Sequence, residues 1–164
     1  MLPLLGVGLL LGFARPALGA QFESGDTRTI AANETIDGSL YFAGQTLVVN
    51  GHVGGSVMGA ARSLELSGTV DGAVRVAGQS VTLNGSVGKE AVVFASDVVV
   101  SPGATIGDGM TAGAATLSMG GTITGDLTGD VGQLSMSGQV DGSVDVEAGS
   151  VSVAPSGRIG GDLR

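Results

Sequence analysis

The chain has 164 residues, of which 43% are hydrophobic but only 3% aromatic, and it contains 31 glycines. Its 15 acidic and 7 basic residues give a formal charge of −8, and the few cations are scattered, so no basic stripe is available to neutralise a nucleic-acid backbone. There is no cysteine, which removes any disulfide framework and all thiolate chemistry.

Residues 1–20, MLPLLGVGLLLGFARPALGA, have the layout of an export signal. An apolar run from Leu2 to Ala14 precedes Arg15 and Pro16, and Ala17 and Gly19 form the small-x-small pattern of a cleavage site after Gly19 or one residue later. The run is short for a membrane-spanning helix, and no Lys or Arg precedes it. An uncleaved N-terminal membrane anchor is the alternative. Either reading takes the rest of the chain out of the cytoplasm or onto a membrane, so an exported, envelope-associated protein is expected.

Residues 21–35, QFESGDTRTIAANET, form a polar lead-in. Ile30 and Ala32 are placed in register with the paired strand positions of the coils that follow. That makes the segment an incomplete first coil covering the N-terminal edge, with Phe22 as a plug for the end of the core.

Residues 36–164 are an internal repeat. Units begin at Ile36, Val53, Val70, Val87, Ile106, Ile123, Val140 and Ile159, with spacings of 17, 17, 17, 19, 17, 17 and 19. Both long units carry a proline near their end, Pro102 and Pro155, which places a two-residue bulge at one fixed corner. Four residues into each unit come Leu40, Val57, Val74, Ala91, Met110, Leu127, Val144 and Leu163. Eleven and thirteen residues in come the pairs Leu47/Val49, Leu64/Leu66, Val81/Leu83, Val98/Val100, Leu117/Met119, Leu134/Met136 and Val151/Val153. An i, i+2 pair is strand geometry, not helix geometry. Small residues from Gly44 to Ala148 mark an inward bend, and glycine columns through Gly55 and Gly68 mark turns or close backbone approach.

Three short strands and three bends per unit predict an all-β fold, a single-stranded β-helix (β-solenoid) of about 17 residues per coil. It would have seven full coils and a partial eighth that opens at Ile159. Stacked at about 4.8 Å, seven coils make a rod roughly 34 Å long. One coil alone cannot offset the entropy of ordering its backbone, so neighbours must share ladder and core.

Little in the chain points to catalysis or to a cofactor. His52, the sole histidine, sits at an outward corner; a general base there would need an orienting partner and a substrate site, so a surface histidine is expected. Asp37, Asp71 and Asp141 share one outward position, and Asp126 and Asp162 another. Gly54, Gly88, Gly107, Thr124 and Gly160 interrupt the first column, so a solvated acidic face is expected in preference to a calcium site. The densest carboxylates, Asp126, Asp130, Asp141 and Asp145, have no long insertions around them to build a sugar-binding cleft. No metal site, no bound cofactor and no enzyme activity are expected.

Units such as VDGAVRVAGQSVTLNGSVG, from Val70, and VSPGATIGDG, from Val100, resemble those of bactofilins, the polymer-forming cytoskeletal proteins of bacteria. The resemblance covers residues 36–164. It implies a right-handed β-helix, triangular in section, that polymerises end to end into nucleotide-free filaments. Bactofilins lie on the cytosolic face of the membrane, so the N-terminal segment marks this chain as an exported relative. The partners expected are further copies of the chain, stacked coil end on coil end, and a membrane, but no nucleic acid. The residues expected to carry assembly are Phe22, Ile30, Ile36 and Leu40 at one end and Val151, Val153, Ile159 and Leu163 at the other. The alternatives are a passive rigid spacer or ligand-binding rod of a membrane-anchored protein and, third, a polysaccharide-active β-helix enzyme.

Overall fold

The computed structural model describes residues 20–164, and every regular element among them is a β-strand. Apart from Ala20, the export-signal segment therefore lies outside the described residues. Eight long strands form one parallel sheet in chain order: Gln21–Ile30, Leu40–Val49, Val57–Leu66, Val74–Leu83, Glu90–Val100, Gly109–Met119, Asp126–Met136 and Val144–Val153. A second parallel sheet stacks eight two-residue strands, from Thr35–Ile36 to Arg158–Ile159. Each coil contributes one strand to each sheet, which makes a β-solenoid of eight stacked turns. The coils are numbered here by their long strands, from the first (Gln21–Ile30) to the eighth (Val144–Val153).

The side-chain pattern shows why the chain turns. Leu40 and Phe42 are buried, Ala43 and Gln45 are exposed, and Leu47 and Val49 are buried again. Strict alternation from Leu40 would bury positions 46 and 48, so the phase slips once, close to Gly44. The ladder skips there too, passing from Gly25↔Gly44 to Thr27↔Thr46. Each long strand is thus two arms meeting at a bend, and the two-residue strand is the third side of the coil. Two of the three short strands expected from the sequence run on as one bent strand.

The unit-opening residues from Ile36 to Val140 are all buried, as are Leu40, Val57, Val74, Ala91, Met110, Leu127 and Val144. The paired positions are buried from Leu47/Val49 to Leu134/Met136. A further inward column, six residues into each unit, consists of Phe42, Val76, Val93, Ala112 and Val146. Gly59 and Gly129 interrupt it, both with positive φ, which hides the column in the sequence. The described core cluster runs from Ile30 to Val146 without a buried polar side chain.

Two-residue insertions occur at one corner, and there are three of them, not two. Ser101–Ala104 and Ala154–Gly157 are turns closed by backbone hydrogen bonds of 3.0 and 2.9 Å, and Ala31–Glu34 is a third, closed at 2.8 Å. The lead-in is therefore a long unit, and Gln21 pairs with Leu40 across 19 residues. Ile30 pairs with Val49 as expected, but Ala32 lies in the turn, and the companion inward position is held by Arg28, opposite Leu47.

The glycine columns at this corner and at the one after the two-residue strands reflect crowding, not left-handed backbone. A Cβ on Gly68 would run into the carbonyl oxygen of Gly51 one coil below, and one on Gly125 into that of Asp108. Next to the Gly125 column, polar side chains tie successive coils together. The Ser39 hydroxyl accepts the Ser56 N–H and the Ser56 hydroxyl that of Ala73, both at 3.0 Å. The Asp126 carboxylate accepts the Ser143 N–H at 2.7 Å, and the Ser143 hydroxyl that of Asp162 at 3.1 Å. Asp126 is thus a corner clasp.

Candidate functional site: the two ends of the stack

Both ends of a solenoid present strand edges and the last layer of core columns. In this chain the backbone is alike at the two ends and the side chains are opposite in kind.

At the N-terminal end the inward columns of the first coil carry polar residues. Gln21 stands over Leu40, Glu23 over Phe42 and Arg28 over Leu47. The Arg28 guanidinium contacts the Glu23 carboxylate at 3.1 Å and the Glu34 carboxylate at 2.6 Å. Glu34 also accepts the N–H of Ala31, at 3.2 Å, which ties the cluster to the inserted turn. About a third or less of each of these three side chains is exposed. A lid of ions therefore covers the apolar columns beneath.

In the last described coil the inward positions are apolar instead, and the Asp162–Arg164 ion pair beside them, at 2.9 Å, is exposed. Val151 and Val153 continue the columns of Leu134 and Met136 and are 46% and 43% exposed. Ile159 is half-buried. Residues 162–164 begin another long arm: Val144 donates its N–H to the Asp162 carbonyl at 2.8 Å, and Arg164 donates to the Val144 carbonyl at 2.9 Å. Leu163 bridges to Val144 and is 53% exposed. Three core columns thus carry exposed apolar side chains in the last described coil.

The eight residues expected to carry assembly separate accordingly. Val151, Val153 and Leu163 form an exposed apolar end, with Ile159 at its edge. Ile30, Ile36 and Leu40 are instead fully enclosed, because the first coil and its ionic lid lie over them. Phe22 does not plug the core. It pairs with Tyr41 at an outward position, is 81% exposed, and stacks on the Tyr41 ring with centroids 4.7 Å apart. An outward position follows from counting 19 residues, not 17, between the lead-in and the next coil. The same count reveals the lid, since it aligns Glu23 with Phe42 and Arg28 with Leu47.

The remaining candidates are dispersed. His52 is 43% exposed, and its Nε2 lies 2.9 Å from the Asp71 carboxylate of the next coil, so it does have a partner. Asp130 pairs in register with Glu147, and Asp145 with Thr128. Among the described residues no group of three or more His, Asp or Glu is placed to hold a metal ion. Comparison with protein-family models, curated proteins and solved structures finds no match.

Proposed function

We propose that the chain is a non-enzymatic structural protein of the cell envelope, a bactofilin-like rod that self-associates through the C-terminal end of its solenoid. One observation carries this reading: Val151, Val153 and Leu163 end the core columns uncovered. A second copy brought end to end supplies what these columns lack, apolar contact and a strand edge to pair with. Burying them together removes apolar surface from water at about 25 cal/mol per Å². The resemblance of the units from Val70 and Val100 to bactofilins supports contact through a coil end, although it implies filaments and the lid at the N-terminal end limits growth.

The N-terminal end behaves differently. Stacking a coil on it would strip water from Glu23, Arg28 and Glu34, and two such lids brought together would oppose like ensembles of charge. Association therefore stops at two copies joined C-terminus to C-terminus, with their lids outward. This lid is also the observation that favours the second reading, a rigid spacer, for that end. The test is sedimentation of the solenoid, residues 20–164, which contains the whole described core. A two-copy species that grows with concentration supports the proposal, and single rods at high concentration contradict it.

A further inference from the structure

One side of the solenoid has a use that end-to-end contact leaves open. The arm from Gln21 to Gly25 and its equivalents in the later coils present two outward columns. The first reads Phe22, Tyr41, Met58, Arg75, Val92, Thr111, Thr128 and Asp145 from the first coil to the eighth. The second reads Ser24, Ala43, Ala60, Ala77, Phe94, Gly113, Asp130 and Glu147. The face is therefore divided along the rod. The first five coils carry both exposed phenylalanines, the tyrosine and a methionine, with Arg75 as the single charge, ion-paired to Glu90. All three carboxylates of these columns lie in the last two coils. Two shallow hollows, of about 350 and 230 Å³, flank Gly59, one beside Phe22, Tyr41 and Met58 and the other beside Val92 and Phe94.

We infer that this face docks on a lipid surface, with the aromatic half inserted at the headgroup level and the acidic half held away. Two observations select that occupant. The first is area. Five coils at about 4.8 Å, with five residues of arm at about 3.3 Å each, make a patch of roughly 400 Å². That is about half of what each partner contributes to a stable protein–protein interface, so a second copy alone would be held weakly. A bilayer needs only apolar area and rings that tolerate the polar–apolar boundary, which Phe22, Tyr41 and Phe94 supply. The second is charge. Anionic lipid repels Asp130, Asp145 and Glu147, and that repulsion favours contact through the aromatic half of this face. The inference does not depend on end-to-end association, which uses Val151, Val153 and Leu163 on a different surface.

The chain carries its own probe. Tyr41 is its one tyrosine and there is no tryptophan, so intrinsic emission reports this face alone. The experiment places the full chain on vesicles of phosphatidylcholine and phosphatidylglycerol, with plain or brominated acyl chains, and compares Tyr41 emission. Loss of emission on brominated vesicles is expected, and it should disappear in the variant Met58→Asp with Phe94→Asp, whose thermal unfolding should match that of the parent because Phe94 is exposed and Met58 half-buried. Equal emission on both vesicles from chain that pellets with them overturns the inference, because the face then stands off the lipid. Quenching that persists in the double variant overturns it as well, since proximity then comes from the N-terminal segment alone. A two-copy species in vesicle-free solution that Phe94→Asp dissociates would assign the face to a second copy, with the same result. Sedimentation of residues 20–164 remains a separate readout, so failure here leaves the end-to-end proposal standing.

Discussion

The two ends of this solenoid share a backbone and differ by a few side chains. At the first coil, Glu23 and Arg28 occupy columns that elsewhere hold Phe42 and Leu47; at the eighth, Val151 and Val153 leave those columns apolar and open. A β-solenoid offers a strand edge at either end by construction, so an edge alone cannot decide where the stack stops. Desolvating an ion cluster opposes further stacking at one end, and covering valines and a leucine favours it at the other. On the proposed reading, end specificity in this solenoid is set by the last layer of the core.

The largest effect expected lies at neither end. Leu117, fully enclosed in the sixth coil, should cost about 2–5 kcal/mol on Leu117→Ala, because the cavity cannot collapse between two stacked coils. Val153→Ala at the open end should cost less than about 1 kcal/mol in the monomer, since nearly half of that side chain already meets water. Chemical denaturation of both variants at a concentration too low for association gives the contrast, and equal costs would erase the distinction between core and end.

Next is the open end itself. Val151→Glu with Val153→Glu should weaken end-to-end association by about a hundredfold or more, since two carboxylates would have to be buried without partners. Sedimentation equilibrium measures this, with the unfolding midpoint of the monomer nearly unchanged. The complementary change is at the lid. Glu23→Val with Arg28→Leu extends the apolar columns to the N-terminal surface, and light scattering should then show species beyond two copies. If the double variant stays at two copies, the ionic lid is not what limits growth.

Much of this was legible in the chain. The unit spacing of 17 with two units of 19, the buried residues at unit starts and the paired positions are all found as the periodicity implies. Periodicity shows most clearly where it is unbroken. The column through Phe42, Val76 and Val93 is not visible in the sequence because Gly59 and Gly129 occupy it in two coils. The lid is hidden because the lead-in has no proline to flag its inserted turn, so spacing alone does not align Ala31–Glu34 with Ser101–Ala104. Without that shift Arg28 looks like a solvated charge and Phe22 like a plug. The Asp126 and Asp162 position was recognised as shared, but its role as a clasp on the next coil's N–H depends on a corner geometry that spacing does not specify.

The smallest effect concerns the side of the rod. Arg75 is about half exposed and pairs with Glu90 across the corner. Arg75→Ala should shift stability by no more than about 1 kcal/mol, as exposed ion pairs do. A larger loss on thermal unfolding would mean that the aliphatic stem of Arg75 supports Met58 and Val92 as packing.

The measurement that bears most directly on the central claim is sedimentation velocity of residues 20–164 across a wide concentration range, run beside the Val151→Glu, Val153→Glu variant. The result expected is an equilibrium between one and two copies for the parent chain, and one copy only for the variant. A parent chain that remains single throughout, or that grows into filaments while its lid is intact, would contradict it.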